Sequence, residues 1–224
     1  MAKQPFVIFF RELGFYFSPI FILLNVSANQ ITVLGLILGL SAAFLVWSDQ
    51  VIAGIVLYFF VTILDFVDGT VARMKGEATF FGRFLDGFAG IIIISCMKIA
   101  LSTLYIEESA GVSIMWLGLF AAVLTPMHHL FYDRFSTFVR WIREEGHQIE
   151  ISPYPRTEAR WISDFISYIP YIMLYCLPLY YWTSYGKWLL ALYFMISIAL
   201  AIHTFIHYTK LASDHFRIKA KQHR

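Results

Sequence analysis

Three carboxylates stand where a carboxylate is costly. Asp65, Asp68 and Asp86 lie at the ends of strongly apolar stretches, and an acid so placed is a functional candidate by default. Asp65 and Asp68 are three residues apart, so on a helix they share a face. Gly69 and Ala72 fall on nearly the same face, where small residues let a ligand or another backbone come close. Arg73 closes the stretch, and Gly76, Gly82 and then Asp86 follow. Clustered carboxylates repel unless a cation relieves them, and oxygen-only donors suit Mg²⁺, Mn²⁺ or Ca²⁺. A metal beside glycines and an arginine makes a diphosphate site. The competing assignment pairs the three acids with Arg73, Lys75 and Arg83 at a membrane surface.

The elements that must carry these acids follow from composition. Of 224 residues, 59% are hydrophobic and 14% charged, against about 25% charged in a soluble domain. That excludes intrinsic disorder and leaves too little polarity to coat a soluble globule. The net charge of +2 is too small to point to nucleic acid. An all-α integral membrane protein is expected. Apolar runs near 20 residues predict six spans: Asn29–Trp47, Val51–Val71, Phe84–Tyr105, Val112–Trp141, Ile162–Trp182 and Trp188–Thr209. The stretch Phe6–Phe21 is interrupted by Arg11, Glu12, Gly14 and Pro19, which suits a helix lying in the interface and not a cleaved signal. The chain reads as one domain: an interfacial and juxtamembrane segment over 1–28, a six-helix bundle over 29–209 and a basic tail over 210–224.

With six spans both termini share a side. Fifteen of the 17 Lys and Arg residues fall on that side or its loops, leaving Lys187 outside and Lys98 within a span. The positive-inside rule makes that side cytoplasmic, and the three acids lie at the same face. The loop Arg143–Arg160 is the longest cytoplasmic connection and the expected mobile one. Cys96 and Cys176 read as core thiols. Trp161, Trp182 and Trp188 read as interface anchors, and Lys210–Arg224 as a contact for anionic headgroups.

The stretch Asp65-Phe-Val-Asp68-Gly69-Thr-Val-Ala72-Arg73, eight residues, Gly82, three residues, Asp86 resembles the signature of the CDP-alcohol phosphotransferases, DxxDGxxAR-x8-GxxxD-xxxD. Seven of eight fixed positions match at the right spacing. Ser27-Ala-Asn29-Gln-Ile-Thr32 is similar to the family's T-P-N-x-I-T. The resemblance implies cleavage of a CDP-activated alcohol, transfer of its phosphoryl-linked part to an acceptor hydroxyl, and release of CMP. It implies two divalent ions, Mg²⁺ or Mn²⁺, with Asp65, Asp68 and Asp86 as ligands. Gly69 and Ala72 would make room for the nucleotide beside Gly82, Arg73 would balance charge, and Asn29 and Thr32 would border the nucleotide. It also implies a CDP-activated donor, an acceptor alcohol or lipid, membrane lipids and a second copy of the chain as partners, in synthesis of phospholipid or lipid-linked surface glycan.

The eighth position departs. It holds Gly90, where the family has an acid that ligates metal and is the proposed base. Glycine can do neither, so a second metal site is expected to be weakened or absent. Either the base comes from elsewhere, or solvent or metal deprotonates the acceptor, or the protein is a non-catalytic CDP- or lipid-binding relative, or Gly90 is an introduced change. Lys98, 12 residues past Asp86 and about 18 Å along the helix, is too far to replace a ligand. His129 and Asp133, four apart with His128 and Arg134 beside them, form either a polar cluster at a helix exit or a proton-accepting site facing Asp86. His203 and His207 are also four apart, but two histidines are a poor metal site. A small transporter is the reading from another class. Its acids would be expected near the midplane, not at one face.

Overall fold

Every regular element among the described residues is a helix. The structure is a computed structural model and describes residues 5–147 and 160–216, with the side chains of 7–147 and 169–216. The helices are α1 (Pro5–Leu23), α2 (Ala28–Trp47), α3 (Val51–Met74), α4 (Phe80–Ser102), α5 (Gly111–Glu144), α6 (Arg160–Tyr180) and α7 (Gly186–His215). By length and composition α2, α3, α4, α5 and α7 can cross a membrane. In α6 the apolar stretch found is the shorter Ile169–Tyr180, because the side chains before it lie outside the described residues. The Trp161 side chain, most of the 143–160 loop and the end of the basic tail lie outside them as well.

The expected first segment is one continuous helix despite Pro19. Gly14 allows α1 to lie directly on α3, since a Cβ there would meet the Phe66 Cβ at 2.8 Å. Phe10 is buried beside it, with its ring 5.3 Å from Phe59 and 5.9 Å from Phe66. Around it Ile31, Ile63, Val67 and Val71 form a small core under the acid-bearing end of α3. In lipid, apolar side chains gain little by meeting one another, so close packing of small residues holds helices together. Gly39 serves that role between α2 and α4, where a Cβ would overlap Ile93. A larger core of Val46, Tyr58, Met97, Leu101, Leu174 and Phe194 joins α2 to α7.

Helix ends differ from the hydropathy limits for local reasons. α4 starts at Phe80, four residues before the expected span, because Thr79 caps it and accepts a 3.0 Å hydrogen bond from the Gly82 N–H. Ser27 caps α2 in a reciprocal box with Gln30. α5 runs 34 residues, about 51 Å, well beyond the ~30 Å hydrocarbon core. On the opposite face the turns are joined by the Lys187–Glu108 ion pair at 3.0 Å and by the Tyr105 hydroxyl donating to the Tyr181 carbonyl at 3.0 Å.

Candidate active site

The eight-residue gap between Arg73 and Gly82 is a compact reversal. Gly76 takes a left-handed φ of +69°. The Glu77 N–H then bonds to the Ala72 carbonyl at 2.9 Å and the Gly76 N–H to the Arg73 carbonyl at 3.3 Å. This glycine-centred helix stop satisfies the last carbonyls of α3. Thr79 then opens α4. Lys75 secures the reversal against the start of α2, donating to the Val26 carbonyl at 2.9 Å and to Asn25 Oδ1 at 3.4 Å. The result sets Asp86, in the second turn of α4, against Asp65 and Asp68 near the end of α3. The Asp65 and Asp86 carboxyls come within hydrogen-bonding reach of each other.

Two cavities meet there. One, about 290 Å³, is bordered by Asn29, Thr32, Asp68, Gly69, Ala72, Arg73, Gly82, Arg83 and Asp86. The other, about 570 Å³, is bordered by Asp65, Arg83, Asp86, Gly90, His129, Tyr132, Asp133 and Tyr171. Arg83 and Asp86 belong to both walls. The structure therefore brings together all the motif residues named from sequence, including Asn29 and Thr32 from the start of α2. It also brings His129 and Asp133 to the chamber that Gly90 faces. Lys75 is turned away toward α2, so the surface-pairing alternative loses one of its three bases.

Individual side chains are fixed by local bonds. Asp68 is buried at 3% exposure and accepts a 2.6 Å hydrogen bond from the Thr32 hydroxyl, which links α2 to α3 across 36 residues of sequence. Arg73 folds back over its own helix, placing a guanidinium nitrogen 3.3 Å from where a Gly69 Cβ would stand and donating to Thr70 Oγ1 at 3.2 Å. Gly69 thus makes room for Arg73 as well as for any ligand. Gly82 does the same for Asn29, whose Oδ1 lies 3.0 Å from a Gly82 Cβ. A Cβ on Gly90 would meet nothing within 4 Å, so the absent side chain leaves open chamber.

Among the described residues no three His, Cys, Asp or Glu side chains converge tightly enough to hold an ion as they stand. The Thr32 bond holds Asp68 at the wall of the smaller cavity, while Asp65 and Asp86 face one another. The donor chemistry nevertheless suits one hard cation: three carboxylates from two helices, with no carboxylate at position 90. His203 and His207 stack ring on ring at 5.9 Å on α7, both exposed and apart from these acids. Sequence reasoning missed the setting of Lys98. It is buried at 7% exposure and donates to Thr125 Oγ1 at 2.8 Å, a partner on α5 that no spacing on α4 could reveal.

A family profile described as CDP-alcohol phosphatidyltransferase matches residues 25–202. The chain belongs to that family. The match takes in α2 to α6 and part of α7, so it extends well beyond the motif. Among proteins of known activity, an archaetidylinositol phosphate synthase of Pyrococcus horikoshii is 38% identical over 64 residues, which is 28% of this chain. The chain spans about a third of that relative, 34% of its length. The apo crystal structure of Mycobacterium tuberculosis phosphatidylinositol phosphate synthase matches 91% of this chain and 98% of its own, with a TM-score of 0.65 at 15% identity. The same enzyme solved with manganese and citrate matches 85% and 88%, with a TM-score of 0.59 at 18% identity. At these identities the two structures establish the shared fold. Integral-membrane helices and the CDP-alcohol phosphotransferase architecture expected from sequence are thereby borne out.

Proposed function

We propose that this protein transfers the phosphoryl-alcohol part of a CDP-activated donor to an acceptor hydroxyl and releases CMP, at a single divalent metal site. The observation that carries this is the shared wall. Asp86 and Arg83 stand between a cavity holding the motif glycine and arginine and a larger chamber holding Gly90, His129 and Asp133. The nucleotide would occupy the first and the acceptor the second, so the attacking oxygen would reach phosphorus on the side opposite the departing CMP. Asp65, Asp68 and Asp86 would hold Mg²⁺ or Mn²⁺. A bound ion would neutralise the diphosphate and stabilise departing CMP. The manganese in the structurally similar synthase supports that choice of metal.

The chain's own residues do the remaining work. Thr32 orients the Asp68 carboxylate, and Asn29, held close by Gly82, borders the nucleotide. Arg73 and Arg83 balance phosphate charge. His129 receives the acceptor proton in place of the missing carboxylate. Asp133, one turn along α5 and bordering the same chamber, supplies a counter-charge for the protonated ring. The relative named as an archaetidylinositol phosphate synthase favours a CDP-activated lipid donor over a small CDP-alcohol. α1 would lie in the cytoplasmic interface, six helices would span, and the basic termini and the site would face the cytoplasm. A pair of chains is the expected assembly.

The second reading is a non-catalytic CDP-binding protein, favoured by Gly90 alone. CMP release from CDP-diacylglycerol and from small CDP-alcohols, measured with Mn²⁺, decides between them. Turnover by the wild type that is lost in Asp65→Asn supports the enzyme. No turnover until Gly90→Asp is introduced supports the binding protein.

A further inference from the structure

The smaller cavity is bordered by one acid that the metal site does not use. Asp68 and Asp86 each lie six residues inside their helix from the reversal that joins α3 to α4, about 9 Å along each axis. Glu77 borders the same cavity from within that reversal. Helical side chains lean toward the N-terminus, so Asp68 reaches away from Glu77, which stands outside the reach of an ion on Asp68. The Glu77 backbone is fixed by the glycine stop, but its side chain makes no hydrogen bond or ion pair among the described residues. Neighbouring cations are engaged elsewhere: Arg73 donates to Thr70, and Lys75 to Val26 and Asn25. Thr79, two residues on, borders the cavity too. Its backbone is extended, with φ −120° and ψ 160°, and residues two apart in extended chain face the same side. Its oxygen accepts from the Gly82 N–H at 3.0 Å, which leaves its own proton to be donated.

A carboxylate on the wall of an anion's site costs affinity unless it meets a hydrogen-bond donor on an uncharged part of the ligand. With the diphosphate at the Asp68 and Asp86 end, the part that reaches the reversal is the base. Cytosine presents an N4 amine that donates beside an N3 that accepts. Uracil presents the reverse, an O4 that accepts beside an N3–H that donates. A carboxylate next to a hydroxyl donor matches the first pattern and turns a negative charge on the O4 lone pairs of the second. We propose that Glu77 reads the base: it accepts from the cytosine N4 amine while the Thr79 hydroxyl donates to N3, so that cytidine donors are selected over uridine donors. The DxxDGxxAR-x8-GxxxD-xxxD signature does not specify this residue, since Glu77 falls among the eight open positions between Arg73 and Gly82. The assignment rests on the nucleotide occupying the smaller cavity and names what distinguishes its base there.

The test uses the full chain in detergent with Mn²⁺ and compares the affinities of CDP, UDP and dCDP by isothermal titration calorimetry. Wild type is expected to bind CDP at least about tenfold more tightly than UDP, the worth of a hydrogen bond to a charged group. Glu77→Gln presents an amide that can accept from N4 or donate to O4, and should bring CDP and UDP within about threefold of each other. Glu77→Lys can only donate and should reverse the preference. Ratios are compared because a change of charge near the diphosphate moves both nucleotides alike. Both variants alter an exposed side chain, so their unfolding midpoints should match wild type. A CDP-to-UDP ratio that Glu77→Gln leaves unchanged overturns the base contact. So does a change in the CDP-to-dCDP ratio in its place, which would put the carboxylate on the ribose. Wild type that binds neither CDP nor UDP overturns the nucleotide cavity and the base contact together. Discrimination that is lost in Glu77→Gln, in a protein whose wild type releases no CMP, overturns the transfer reaction alone and leaves the base contact standing.

Discussion

Replacing Gly90 tests whether α5 has taken over the missing carboxylate's task. A Cβ at Gly90 meets nothing within 4 Å, so Asp fits without displacing a neighbour. In a helix interior Gly is about 0.8–1.0 kcal/mol worse than Ala, and Asp at most ~0.7 kcal/mol worse. Repulsion from Asp86, one turn away, costs about 0.2–0.5 kcal/mol before a metal binds. The net change in stability is therefore within ~0.5 kcal/mol, and a large change in rate has to come from the chemistry. If His129 is the base, His129→Ala should slow transfer by roughly 10²–10⁴, equivalent to about 2.7–5.4 kcal/mol of barrier. Adding Gly90→Asp to that variant should recover at least about tenfold, while the same change in wild type gains much less. The assay is single-turnover CMP release at saturating Mn²⁺ across the four proteins, which isolates the coupling between the two sites. A His129→Ala rate within threefold of wild type, or equal effects of Gly90→Asp in both backgrounds, refutes the assignment.

The acid constellation was legible because helix period and chain spacing carry it. Asp65 and Asp68 share a face by arithmetic alone, and the eight-residue gap to Gly82 has the length of a glycine stop followed by a threonine cap. Hydropathy could not place the start of α4, since the cap at Thr79 overrides where the apolar run begins. Nor could it show α1 lying directly on α3, because Gly14 reads as an interruption until Phe66 is seen against it. The Thr32–Asp68 and Lys98–Thr125 bonds join different helices, and no spacing within one helix encodes such a pair. His129 and Asp133 were visible as a pair, but only packing of α5 against α4 sets them beside Gly90. His203 and His207, visible in the same way, stand apart from the acids.

Thr32→Val removes the hydroxyl that orients Asp68, a bond to a charged group worth about 1.5–3 kcal/mol; a Mn²⁺ titration should show affinity weakened roughly tenfold or more. Gly82→Ala sets a Cβ 3.0 Å from Asn29 Oδ1 and 3.3 Å from Thr79 Oγ1, so KM for the CDP donor should rise several-fold, by order-of-magnitude analogy with an overpacked contact, with little change in kcat. Gly14→Val drives side-chain atoms into Phe66 and should cost about 1–3 kcal/mol, read as a lower unfolding midpoint in detergent. Chelation by EDTA should abolish CMP release, and Mn²⁺ or Mg²⁺ should restore it.

The central claim is that Asp65, Asp68 and Asp86 form a metal-dependent site for a CDP donor. CMP release from CDP-diacylglycerol by the purified protein with Mn²⁺, compared with Asp65→Asn, measures it most directly. The expected result is turnover in wild type and a loss of at least about a hundredfold in the variant, as for removal of a metal-anchoring charge in phosphoryl transfer. Turnover that Asp65→Asn leaves unchanged would contradict the account.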